Sequence, residues 1–269
     1  MDYSKLLITH GHSNKPGFKP TLKLVPAIVV LFMLSYAKAS GTNNKYYTIK
    51  QGDTIFAGHT LANAALIKDA HSRFSLLIYA NNSYRSIKFL DKDVRIKGNQ
   101  VLVVQKLYNG AYTNIDSVIA DRKTLLPVES HSDINTSNEN FTYSGNKISG
   151  TIVAKEGNKK GVSTTVDTAF LTPMFNGLIY AETYQALSYQ KNHPFYLAEY
   201  VPGHNTKFTK VEYIRDDEIT ISGAKIAAKV LEMNTGQITI YCWLDAKDQS
   251  LIKMEGMFPT FDYYLLRMV

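Results

Sequence analysis

The feature that most constrains this chain is its punctuation. Short runs of β-branched and aromatic residues alternate with turn signals along most of its length. "NQVLVVQKLY" (99–108), "TNIDSVIA" (113–120), "FTYSGNKISGTIVAK" (141–155), "KFTKVEYI" (207–214), "EITISG" (218–223) and "GQITIYCWL" (236–244) read as strands. Between them stand Asn109-Gly110, Ser144-Gly145-Asn146, Glu156-Gly157-Asn158 and Asn234-Thr235-Gly236. Asn109-Gly110 between two strand-like runs is a hairpin signal, because both residues tolerate the positive φ that a tight hairpin turn demands. Strands this short and this regularly spaced predict an antiparallel sheet, strongly curved or partly closed. The 18 Tyr and 12 Phe fit that reading, since rings pack well on a pleated surface.

In "ITIYCWL", strict alternation puts Ile238, Ile240, Cys242 and Leu244 on one face and Thr239, Tyr241 and Trp243 on the other. Both sets are apolar or amphipathic, so both faces of this strand are expected to be covered.

Two stretches echo each other: "DRKTLLPVES" (121–130) and "DAKDQSLIKMEG" (245–256). Each starts with an aspartate that closes an apolar run, and each resumes with aliphatics after a polar turn. Laying Leu125–Glu129 on Leu251–Glu255 predicts two returning strands. Their inward pairs are Leu126/Val128 and Ile252/Met254, with Lys253 and Glu255 pointing away. Pro127 has no N–H to give a ladder, so its strand is expected at an edge or a bend.

Other segments break the β pattern. "TPMFNGLIYAETYQALSYQ" (172–190) reads as a helix, with Thr172 as N-cap and Pro173 at the first helical position. Phe175, Leu178, Ile179, Glu182 and Leu187 recur near helical spacing. Gly177 weakens that helix by ~1 kcal/mol relative to alanine. "HTLANAALIKDAHSRF" (59–74) is a second candidate helix, followed by the strand-like "RFSLLIYA". "ESHSDINTSNEN" (129–140) reads as a polar connecting loop. No shift of composition marks a domain boundary.

The formal charge of +7 raises the question of an anionic partner. Residues 1–39 hold five lysines against Asp2, a net of +4, which leaves a net of +3 over the rest. No basic block stands out there, so nucleic acid is not an expected partner. The lysines of the leader flank an apolar run from Leu24 to Ala37 that ends in Ala37-Lys38-Ala39. That is the layout of a secretory signal peptide, and the run is short of the ~20 residues of a membrane span, with an uncleaved anchor as the alternative because the segment before Lys19 is long. The reading is therefore a signal peptide over 1–39 and one domain over 40–269. Cys242 is the only cysteine, so no internal disulfide forms. A large exported domain without disulfides fits a bacterial envelope, with lipid anchoring not expected and membrane association peripheral at most.

The search for chemistry finds little. His59, His71, His131, His193 and His204 are scattered, with no ligand-like spacing, so no metal site is expected. Cys242 sits mid-strand and reads as a buried hydrophobe. Neither G-x-S-x-G nor a phosphate-cradling glycine loop occurs, and no cofactor is expected. "RDDE" (Arg215–Glu218) reads as turn chemistry between two strands. A hydrolase using Asp216, Asp217 or His193, in "NHPFY", is the enzymatic alternative. Tyr180, Tyr184, Tyr189, Phe195, Tyr196 and Tyr200 are either packed core or the rings of an apolar pocket.

The order of export signal, strand, "D-x-x-T-L-L-P-V", strands around one helix, then "W-L-D…L-I-K-M-E" resembles the LolA/LolB/LppX-like superfamily of periplasmic lipoprotein carriers, closest to its uncharacterised exported branch. The likeness rests on Asp121, Thr124, Leu125, Leu126, Pro127 and Val128, and on Trp243, Leu244, Asp245, Leu251, Ile252 and Lys253. It implies an α+β, mainly β fold: a strongly curved antiparallel sheet, an unclosed half-barrel, with one or two helices packed on its concave side. It also implies an apolar space that holds lipid or lipoprotein acyl chains without catalysis. Leu126, Val128, Leu178, Tyr184, Ile240, Cys242, Ile252 and Met254 are the expected lining. The sequence departs from the carriers in showing no long N-terminal amphipathic helix. A structural or interaction protein with a filled core, contacting other envelope proteins at the outer membrane, is the alternative.

Overall fold

The computed structural model describes residues 54–80, 83–110, 112–157, 160–200, 207–236, 238–258 and 260–268. The signal peptide assigned to 1–39 lies outside them. The described residues form one 16-stranded sheet. A first meander contains β2 (Ala70–Ala80), β3 (Ser83–Lys97), β4 (Gln100–Asn109), β5 (Tyr112–Asp121), β6 (Pro127–Asp133), β7 (Ser137–Ser144), β8 (Lys147–Ala154) and β9 (Ser163–Ala169). A second contains β11 (Phe195–Tyr200), β12 (Lys207–Ile221), β13 (Ala224–Asn234), β14 (Thr239–Asp245), β15 (Leu251–Met257) and β16 (Asp262–Met268). Antiparallel pairing of β16 with β2 joins the two halves. The short strands β1 (Thr54–Ile55) and β10 (Phe175–Asn176) lie parallel to β11. Strand order runs from β1 to β9 and the two ends do not pair, so the fold is mainly β with an unclosed sheet.

The ends nevertheless meet through side chains. Phe141 and Ile148 of β7 and β8 share one apolar cluster with Ala198 and Tyr200 of β11 and with Phe208 of β12. Asn176 of β10 donates from Nδ2 to the Tyr143 hydroxyl of β7 at 2.8 Å. At roughly 4.8 Å per strand, a flat sheet of this width would hold these residues far apart, so the sheet must bend round.

The one α-helix among the described residues, α1 (Tyr180–Ala186), is much shorter than the 172–190 segment suggested. Pairing of β10 with β11 holds 175–176 extended, so neither Thr172 nor Pro173 starts it. Asn176 takes the capping role, its Oδ1 accepting from Leu178 N at 2.8 Å ahead of a 3-10 turn at Gly177–Ile179. The second expected helix is only a 3-10 turn at Ala64–Leu66. From Ala70 the chain is already strand, with Phe74, Leu76 and Ile78 buried at period 2. The supposed loop 129–140 is a hairpin of β6 and β7, in which Glu129 and Asn140 are exposed while Ser130 and Phe141 are buried. Arg215–Glu218 is no turn either: it lies inside β12, paired from Arg215↔Val230 to Glu218↔Ala227. The turn comes at Ser222-Gly223, which take φ of +51° and +85°.

The echo is a shared turn, in a different register from the one the sequence suggests. Leu125 N donates to Asp121 O at 2.8 Å, as Gln249 N does to Asp245 O at 2.9 Å. Leu125 and Gln249 both take positive φ, at +50° and +57°. Leu125 thus matches Gln249, two residues off the sequence alignment. A bulge follows at the same step in each copy. Pairing jumps from Ile119↔Glu129 to Ala120↔Pro127, and from Trp243↔Lys253 to Leu244↔Leu251. The extra residues are Val128 and Ile252, and a bulged residue leaves the strand's alternation. Both inward pairs are corrected accordingly. Val128 is 39% exposed, and Ile252 packs with Val230 and Trp243 on the face opposite Met254. Pro127, first in its strand and beside the bulge, sits at the bend its chemistry requires.

Both faces of β14 are covered as expected. Cys242 and Leu244 join the main core, which also holds Ile179, Ala181, Tyr184 and Ala186 from around α1. Trp243 joins the opposite cluster. Burial, with Glu199 nearby, pushes the Cys242 thiol well above its ordinary pKa. Thiol reagents at pH 8 are expected to leave the folded protein unlabelled and to label Cys242 fully in denaturant; rapid labelling of the native state would contradict this placement.

Candidate functional site

Alternation fixes which side chains of β3, β4 and β5 face the main core: Leu90, Lys92 and Val94; Val103, Gln105 and Leu107; Asn114, Asp116 and Val118. The polar members are not scattered. Lys92 pairs with Gln105, Gln105 with Asp116, Asp116 with Ser132, and Ser132 with Glu139. One cross-strand row of polar groups therefore runs from β3 to β7 beside the apolar core.

α1 meets this row. Lys92 Nζ lies 2.7 Å from Glu182 Oε1, with the two side chains only 6% and 5% exposed. The Tyr180 ring stands 5.4 Å from the same ammonium. Gln105 Nε2 donates to the Leu178 carbonyl. Lys92 Nζ makes no well-directed hydrogen bond, and Glu182 Oε2 has no hydrogen-bond partner among the described residues. Farther along, burial raises the pKa of Asp116, against opposing effects of the Ser132 hydroxyl and His131. Burial also raises that of Glu139, against a 2.7 Å hydrogen bond from Ser137, and the nearby Asp116 adds to the rise. Both carboxyl groups are thus biased toward the neutral form.

The second copy of the turn holds the end of α1. Gln249 Nε2 donates to Gln185 O at 2.8 Å and to Leu187 O at 3.0 Å, while Asn63 Nδ2 donates to Leu187 O at 2.8 Å. The left-handed backbone at Gln249 aims its amide at these terminal carbonyls, which α1 cannot satisfy internally.

Of the expected lining residues, Tyr184, Cys242 and Met254 are buried in the main core, and Leu126, Leu178 and Ile240 pack against it, partly buried. Val128 and Ile252 are not brought into this group, for the bulge reason given above. The sequence reading missed Lys92, Gln105, Asp116 and Glu182. The available signal was a polar residue at an inward position of an otherwise apolar alternation, repeated on neighbouring strands.

The enzymatic alternative gains nothing from the geometry. Asp216 and Asp217 are neighbours on one strand and diverge. Asp216 accepts from the Tyr213 hydroxyl and from Lys191, whereas Asp217 accepts from Trp243 Nε1 at 2.8 Å. His193 stands in the loop before β11, its N–H donating to Gln190 O at 3.2 Å. Among the described residues no group of three or more His, Cys, Asp or Glu could hold a metal ion. The Trp243 hydrogen bond is the chief cause holding the Asp217 pKa below its usual value. A depressed carboxylate contributes stability that is present above its unfolded pKa of about 3.9 and is lost as pH falls through the folded value. Emission from Trp243, the only tryptophan, is therefore expected to shift with a midpoint below that of a free aspartate. Asp217→Asn should remove this transition, and an unchanged pH profile in that variant would refute the link.

A concavity of about 530 Å3 lies on the opposite face of β4–β8, floored by Leu102 and Ile119 and walled by Glu129, His131 and Asn140. Its wall groups bond to each other across the strands, His131 Nδ1 to Asn140 Oδ1 at 2.7 Å and Thr142 to Ser149.

Residues 87–265 match a family described as a protein of unknown function, DUF3108. The chain belongs to the DUF3108 family. No curated protein matches it. The DUF3108 segment opens in β3 ahead of Lys92 and closes in β16, so it contains the polar row, α1 and both copies of the turn.

Proposed function

We propose that this DUF3108 protein is an exported, non-catalytic protein of the cell envelope. It holds a lipid or another amphipathic ligand against the concave side of its sheet, in the space that α1 fills in this structure. One observation carries the reading: a polar row lies directly beside an apolar wall under the short helix α1. A core selected for stability alone has little use for the row. Buried ion pairs are often matched or bettered by apolar residues of similar volume, because desolvation offsets their attraction. An amphiphile, by contrast, needs both surfaces, one for its chain and one for its headgroup. The leader over 1–39 supports export to the periplasm. The mainly β, unclosed sheet is in keeping with the LolA/LolB/LppX-like resemblance and its acyl-chain ligands.

In this reading the ligand takes the place of α1. A helix of seven residues is marginal by itself and depends on its contacts. The second reading, a structural envelope protein with a permanently filled core, draws on the near-complete burial of Tyr184, Cys242 and Met254. Native mass spectrometry of protein purified from the periplasm separates the two. Adducts of lipid mass, or uptake of fatty acid or phospholipid probes, are expected. A clean apo mass that no probe alters would leave only the filled-core reading.

A further inference from the structure

We infer that Glu182 stands in for the headgroup of the ligand, so that Lys92 selects amphiphiles carrying an anionic group over neutral ones of the same chain length. The inference rests on the preceding reading, in which the ligand displaces α1, and adds the charge of that ligand.

The two members of the ion pair belong to different kinds of element. Lys92 is fixed in the middle of β3, paired on both sides, to Ser72 and to Gln105. Glu182 rides on α1, which is tied down by Gln105 of β4 at Leu178 just ahead of it and by the loop residues Gln249 and Asn63 at Gln185 and Leu187 around its end. Nothing chelates the carboxylate. Its Oε2 is buried without a hydrogen-bond partner among the described residues, and the contact to Lys92 is close without being well directed. That is how a surrogate fits, in the right place with incomplete geometry.

The groups around Lys92 sharpen the chemistry. They are the Gln105 amide, Ser72, the Tyr180 ring and the Glu182 carboxylate. Removing α1 together with the 3-10 turn ahead of it takes away Glu182 and Tyr180, and it strips the Leu178 carbonyl from Gln105 Nε2. What remains is an ammonium and an amide donor, both missing the oxygen acceptors that α1 and the turn had supplied. An ammonium left without its partner in such a setting is strongly unfavourable, so a ligand that replaces α1 must bring an anion with it. A carboxylate or a phosphate at the end of an acyl chain supplies that charge and a second acceptor for Gln105. Burial raises the pKa of Asp116, next along the row, which lessens its pull on the same ammonium.

The test uses the full chain and two matched probe pairs: oleate against oleyl alcohol, and oleoyl lysophosphatidate against monooleoylglycerol. The pairs distinguish a carboxylate from a phosphate source. In the wild type the anionic member of at least one pair is expected to bind about tenfold or more tighter than the neutral one, as desolvated charge pairing allows. Glu182→Gln removes the internal competitor and should tighten the anionic probe by about tenfold more than the neutral probe. In case that variant folds poorly, Lys92→Met combined with Glu182→Leu removes both charges and should bring the ratio in each pair close to one. Equal binding of anionic and neutral probes by the wild type, or a ratio unchanged in the double variant, would overturn the inference and leave the ligand reading standing. Failure of all four probes to bind would overturn both.

Discussion

Glu182→Leu is expected to lower the unfolding free energy by about 3–5 kcal/mol, whereas Lys92→Met combined with Glu182→Leu returns it to the wild-type value or above. The asymmetry follows from burial. With both charges present, the 2.7 Å contact between side chains almost sealed from water offsets much of their desolvation. With Glu182 gone, Lys92 must stay charged without a partner or deprotonate, and either is costly. With both gone, apolar side chains of similar volume fill the same space beside Tyr180. Urea unfolding of the wild type and the three variants, with Lys92→Met as the fourth corner of the cycle, measures the coupling directly. At roughly 2–4 °C per kcal/mol for a domain of this size, the single substitution should show as a fall in Tm of about 6–20 °C. A single-variant loss below about 1 kcal/mol would mean that the pair is hydrated or absent.

Gly256→Ala should be nearly as damaging. Gly256 of β15 pairs with Tyr263 of β16, whose ring occupies the space a side chain at 256 would need. A β-carbon at 256 would come within 1.8 Å of the Tyr263 ring, which is itself buried and has nowhere to retreat. Overpacking of this kind costs about 1–3 kcal/mol, and more where the neighbour cannot move. The ring is the cause, so the cost should largely vanish when Gly256→Ala is made in a Tyr263→Ala background. A penalty that persists there would point to the backbone of β15 instead.

Much of the sheet was legible from period-2 alternation and turn dipeptides, because those signals are local. Asn109-Gly110 and Ser144-Gly145-Asn146 mark real hairpins. The failures have a common cause, which is that tertiary pairing decided them. Residues 129–140 look like a loop because their outward positions are polar, yet both halves are paired strands. Asp216 and Asp217 look like a turn, but β13 pairs straight past them. The helix was overestimated because β11 claims Phe175 and Asn176. The two bulges were invisible, since a bulge changes which face a residue takes without any fixed residue type. That is why Val128 and Ile252 were assigned inward. The polar row was partly legible: Gln105 and Asp116 interrupt the apolar sides of "VLVVQKLY" and "NIDSVIA" at matched positions. Its partner Glu182 was not, because the contact spans from β3 to a helix far away in sequence.

The central claim, that an amphiphile occupies the space beneath the sheet in place of α1, is tested most directly by amide hydrogen exchange of the full chain with and without saturating oleate. Bound ligand is expected to raise exchange across Tyr180–Ala186 while β3, β4 and β5 stay protected. Oleate that binds with α1 protection unchanged or increased would contradict it.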